Sequence, residues 1–129
     1  MLKFFNLNPS RESRAIQIWQ ILVGKAHNRQ TITYDQLRKL LGYPRGGARV
    51  MGQFLDPIMC FCIQNRLPPL TILVVNDTTG SPGEGLILEG AENSEREKVF
   101  KHDWFGIQVP SEEDFAEARK VRIKYDTTP

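Results

Sequence analysis

Two helix-period patterns, parted by a turn that holds a glycine and a proline, fill residues 33–65 and leave this chain few architectures. Thr33 stands where an N-cap belongs, ahead of Tyr34-Asp35-Gln36-Leu37-Arg38-Lys39-Leu40-Leu41, and Gly42 where a C-cap belongs. Leu37, Leu40 and Leu41 give that short helix its apolar side. Tyr43-Pro44 ends it, because proline restricts the residue before it and lacks the N–H a helix interior needs. A longer helix is predicted from near Gly47 to about Asn65, with Val50, Phe54, Ile58, Phe61 and Cys62 turned inward. Arg45, Arg49 and Gln53, spaced by four, share its polar side. Two helices joined by a Gly-Tyr-Pro-Arg turn predict a helix-turn-helix.

The flanks extend this unit. Ser10 is an expected N-cap for a helix from Arg11 to about Ala26, whose Ala15, Ile18, Trp19, Leu22 and Val23 fall on one face. After the Leu67-Pro68-Pro69 break, the apolar run Leu70 to Val75 predicts a strand, and Leu86 to Glu89 a second one beyond a turn-rich loop. Two strands around a polar loop, placed after the second helix of the motif, read as a wing. Glu92 to Phe100 is expected to be a charged helix and Trp104 to Val109 a short strand. Ser111 and Asp114 form a capping box that opens a final helix, with Glu112, Glu113 and Asp114 at its start and Arg119, Lys120 and Arg122 towards its end. Those charges fit the helix dipole and need no functional explanation. The expected fold class is α+β: a winged helix-turn-helix domain with a short β wing and an additional C-terminal helix. Residues 1–129 form one domain in this reading, a winged-helix core over 10–90 and an acidic C-terminal extension over 91–129.

A chain of 129 residues, 40% of them hydrophobic, is long enough to bury one core. No apolar run approaches the roughly 20 residues that span a bilayer, and the N-terminus has no signal-peptide pattern, so a cytoplasmic protein without membrane contact is expected. Cys60 and Cys62 form a C-x-C pair that suits neither a disulfide framework nor a zinc site, and they read as two small buried hydrophobes. His27 and His102 lie far apart in sequence, and the acidic cluster Glu92, Glu95, Glu97 and Asp103 has no partner motif, so it reads as a solvated charged segment. With no H-E-x-x-H, G-x-S-x-G or P-loop, neither a catalytic residue, a metal nor a cofactor is expected. The net charge of +2 hides a split: residues 1–66 hold ten Lys or Arg against three Asp or Glu, and residues 67–129 hold seven against twelve. A basic half joined to an acidic half suggests one face meant for a polyanion.

The run Thr31 to Pro44 followed by Ala48-Arg49-Val50-Met51-Gly52 resembles the DNA-binding domain of the O6-alkylguanine DNA alkyltransferases and alkyltransferase-like proteins. That family has a Thr/Ser-Tyr opening the second helix, a Gly-x-Pro turn and an Ala-Arg-x-x-Gly recognition helix. A Pro-Cys-His-Arg-Val strand and a glycine-containing loop follow. The resemblance covers roughly residues 11–90, with Arg49 one residue further from Pro44 than in the family pattern. It implies a recognition helix that enters the minor groove, Arg49 in the space of an everted nucleotide, and Tyr34 against a phosphate. Gly46, Gly47, Ala48 and Gly52 would let the helix backbone approach DNA, with Arg45 and the helix N-terminus favouring a phosphate. The family's cysteine, histidine and arginine positions fall on Thr71, Ile72 and Leu73, a hydroxyl with no base beside it. Alkyl transfer is therefore not expected, and the Trp-His-Arg-Val-like strand of the alkyltransferase-like proteins is missing too.

These readings converge on a non-enzymatic, alkyltransferase-like protein that binds duplex DNA through Tyr34, Arg45, Gly46, Gly47, Arg49 and Gln53, and that senses modified or distorted bases. The alternative is a protein–protein interaction module reusing the winged helix, with the acidic part from Glu92 to Pro129 as its contact surface. A transcriptional regulator is the third reading, although no dimerisation helix is evident.

Overall fold

The computed structural model describes residues 1–5, 9–44, 48–77 and 91–121, with the side chains of Ala48 and Arg49 left aside. Helix α1, Arg11–His27, starts at the N-cap Ser10, whose hydroxyl accepts from the Ser13 N–H. Its stripe of Ala15, Ile18, Trp19, Leu22, Val23 and Ala26 is buried, as the spacing predicts. A two-residue strand β1, Ile32–Thr33, leads directly into α2, Tyr34–Leu41. The capping box at Thr33 and Gln36 is complete, and Gly42 closes the helix in the left-handed conformation at φ 82°. Helix α3, Ala48–Gln64, is the long helix predicted after the Gly-Tyr-Pro-Arg turn, and it carries Pro57 in its interior. Leu70–Leu73 follows as a 3₁₀ turn, then β2, Val74–Val75, then α4, Glu92–Lys101, and α5, Glu112–Arg119.

α1, α3 and α5 pack on one another around Trp19. Its ring lies 5.7 Å from those of Phe61 and Trp104 and 6.1 Å from that of Phe115. The segment expected as an acidic extension thus belongs to the same core: Val99 of α4 and Phe115 of α5 are fully buried within it. The two short strands pair in parallel, Ile32 with Val74 and Thr33 with Val75, which ties the entry of α2 to the end of the 3₁₀ turn. The structure is mostly helical with a small parallel sheet, an α+β arrangement.

Two expectations need correction. Leu70 to Val75 is strand only at its last two residues, because the Ile72 N–H bonds back to the Pro69 carbonyl at 2.9 Å and winds the preceding four into a 3₁₀ turn. All four of those side chains are buried, so the run shows no alternation that separates strand from turn. Trp104 to Val109 forms no strand either: the Ile107 N–H bonds to the Trp104 carbonyl and makes a turn. The second strand of the predicted wing, Leu86 to Glu89, lies outside the described residues.

Candidate nucleic-acid interface

The turn between α2 and α3 is clamped from two sides. Arg14 of α1, only 8% exposed, donates from Nη1 to the Leu41 carbonyl (3.2 Å) and to Gln17 Oε1 (2.7 Å), and from Nε to the Tyr43 hydroxyl (3.2 Å). Its guanidinium carbon stands 4.8 Å from the centre of the Tyr43 ring, which in turn stacks on Phe54 of α3 at 5.7 Å. From the other side, Arg38 donates to the Tyr43 carbonyl at 2.6 Å and to Asp35 Oδ1. Arg38 and then Lys39 hold the Asp35 carboxyl below the usual carboxylate range. The Tyr43 and Gly42 N–H groups return to the Arg38 and Lys39 carbonyls, which satisfies the end of α2. Tyr43 is thus held by hydrogen bonds from α1 and α2, and its ring carries the contact across to α3.

The six expected contact residues are distributed unevenly. Gln53 is exposed on α3. Tyr34 is buried at 6% exposure within the core cluster, because it opens α2 beneath β1. Arg45, Gly46 and Gly47 lie outside the described residues. Arg49 lies in the first turn of α3, four residues before Gln53.

Beside Gln53 lies the half-exposed Gly52, where an added Cβ would meet no atom of the described residues within 4 Å. Packing among the described residues thus places no demand for glycine there, although glycine in a helix interior costs roughly 0.5–1 kcal/mol relative to alanine. Pro57, one turn further on, has no N–H to give to the Gln53 carbonyl.

Sequence arithmetic overstates the cationic face. Of the ten basic residues in 1–66, Arg14 is buried, Arg38 and Lys39 pair with Asp35, and Arg29 Nη2 donates to both oxygens of Glu97. Lys3, Arg11, Lys25 and Arg66 remain at exposed or half-exposed positions. Arg14 itself was hidden in plain sight: it stands four residues before Ile18 and eight before Leu22, on the side of α1 that packs inward.

Thr71, the residue expected in place of the alkyltransferases' cysteine, is 6% exposed and its hydroxyl has no hydrogen-bond partner among the described residues. Ile72 and Leu73 beside it are fully buried. Cys60 and Cys62 are buried free thiols, and burial pushes the Cys62 thiol up to about 12. No group of three metal-ligating side chains forms among the described residues, and no helix among them is long and apolar enough to cross a membrane. No family model, no curated protein and no solved structure matches this chain.

Proposed function

We propose that this chain is a non-enzymatic DNA-binding protein that lays the N-terminal part of α3 against the minor groove of duplex DNA and favours duplexes with a modified or distorted base. Gly52 carries the reading. A glycine that helix propensity disfavours and packing does not require, on the half-exposed side of the second helix of the motif, suits a backbone that something else approaches closely. The clamp of Arg14 and Arg38 on the turn supports it, since groove docking needs α2 and α3 held at one angle. The expected residue set keeps Arg45, Gly46, Gly47, Arg49 and Gln53, with Tyr34 as a buried support of α2.

A titration of regular and base-modified duplexes at several salt concentrations tests this. Three to five neutralised phosphates give a log–log slope of roughly −3 to −4.5, at about −0.9 per phosphate. Absence of binding at low salt overturns the reading. Incubation with O6-methylguanine DNA leaves the protein's mass unchanged, since Thr71 has no base and the cysteines are buried. Added methyl mass on Cys60 or Cys62 refutes the non-enzymatic part.

The interaction-module reading has its own support in the acidic half, where Phe105 and Val109 are exposed apolar side chains.

A further inference from the structure

His27 and His102, 75 residues apart in sequence, meet at one surface cavity. It measures about 240 Å³ and is walled by His27 from the end of α1, Phe100 and Lys101 from the end of α4, and His102, Trp104 and Phe105 from the segment after it. The walls are fixed. Trp104 Nε1 donates to the Val99 carbonyl at 2.8 Å, and the guanidinium of Arg29 lies 5.0 Å from the centre of the Phe100 ring. Asp103 Oδ1 accepts from the Gly106 N–H and closes the turn that carries Phe105. A Cβ at Gly106 would stand 2.6 Å from Asp103 Oδ2, so this turn takes only glycine without shifting.

The result is a Phe105 ring held outward at 67% exposure, edge-on to the His27 imidazole at 5.2 Å. Folding gains little from an apolar ring so placed. We infer that this cavity receives a nucleobase, stacked on Phe105 beside the His27 imidazole, with the adjoining phosphate on Lys101 Nζ. A base offers a π-face to the phenyl ring and polar edges to the imidazoles. The cavity is smaller than the roughly 300–1,000 Å³ clefts that engulf drug-sized ligands, and it suits one base with the rest of the nucleotide outside. Lys101 is the cation at the rim: its side chain is 72% exposed and stands 4.0 Å from Glu97, whose two oxygens accept from Arg29. Asp103, an acid in the cavity wall, accepts from the Gly106 N–H through Oδ1. The site lies thirteen residues along α1 from Arg14, about 20 Å away. It therefore stands apart from the helix-turn-helix reading.

A free nucleotide and an unpaired base of a single strand share this chemistry. Since the chain holds two histidines, their imidazole C2–H resonances report on the cavity directly. The full-length protein is titrated with adenosine monophosphate and, separately, with a short single-stranded oligodeoxyadenylate. Both resonances shift, and Phe105→Ala weakens binding by about fivefold or more while Phe105→Tyr restores it. Phe105 is exposed, so the alanine variant keeps its fold, which its thermal unfolding checks. Tighter binding of the strand assigns the site to nucleic acid, and equal binding assigns it to the free nucleotide. Imidazole resonances that neither ligand moves, or a Phe105→Ala protein that binds as wild type, overturn the inference.

Discussion

In the proposed DNA-binding reading, Gly52 sets stability against function. With open space beside it, Gly52→Ala gains about 0.5–1 kcal/mol of stability through helix propensity. The added methyl then stands between the α3 backbone and a groove, and duplex affinity falls. Gly24 of α1 is equally open, so Gly24→Ala gains stability without losing affinity. Urea unfolding paired with duplex titration reads both effects, and a Gly52→Ala protein that binds as wild type removes the close approach. Cys62 offers a second test at this scale. Its unfolded thiol ionises near 9 and the buried one only near 12, so the unfolded chain sheds its proton first as pH rises. The stability it contributes is whole below pH 9 and is lost on approach to pH 12, at up to about 1.4 kcal/mol per pH unit. Chemical unfolding of wild type and Cys62→Ala across that window isolates the effect, and equal slopes would show that solvent reaches the thiol. The residues legible from sequence were those that act locally, such as Ser10, Thr33, Gly42 and Ser111 at helix ends. Arg14 drew no reading of its own, because its partners Leu41 and Tyr43 come from an element distant in sequence.

Helices announce themselves by period and caps, and here both signals agree. Thr33 closes a capping box with Gln36, so Thr33→Ala costs about 1 kcal/mol in a urea melt. The final helix opens at its legible capping box, Ser111 and Asp114, and its Phe115 is fully buried against Trp19 and Phe61. Phe115→Ala therefore costs about 3–5 kcal/mol, the range for emptying an aromatic from a core. A loss below 1 kcal/mol would show that α5 adds little to the core. The short elements were not legible. Leu70 to Leu73 is buried on every side, and a run with no polar alternation gives period nothing to measure. Trp104 to Val109 looked like a strand by residue type, but the Asp103 side chain and the Trp104 carbonyl turn the chain before it can extend.

Across the whole molecule, the charge split that pointed to a polyanion is partly consumed in joining the two halves. Arg29 of the basic half holds Glu97 of α4, whereas the other cross-link, Arg119 of α5 to Glu12 of α1 at 2.7 Å, takes up an acid of the basic half and none of its cations. Composition counts charges but not these pairings, so the face proposed to meet DNA has fewer unpaired cations than the count implies. Arg49 is the one on which the mechanism turns. If it fills the gap of an everted nucleotide, Arg49→Ala weakens binding to a distorted or modified duplex more than to a regular one. Unstacking a base costs a few kcal/mol, so the loss on the distorted duplex is about 1–3 kcal/mol. A plain phosphate contact behaves differently: both affinities fall together and the salt slope shrinks by about one unit. Arg66 is the control, exposed just past the end of α3 and about 25 Å along its axis from Arg49. Arg66→Ala leaves both affinities near wild type, whereas a loss there equal to that of Arg49→Ala would mean that diffuse charge, not the recognition end of α3, holds the DNA.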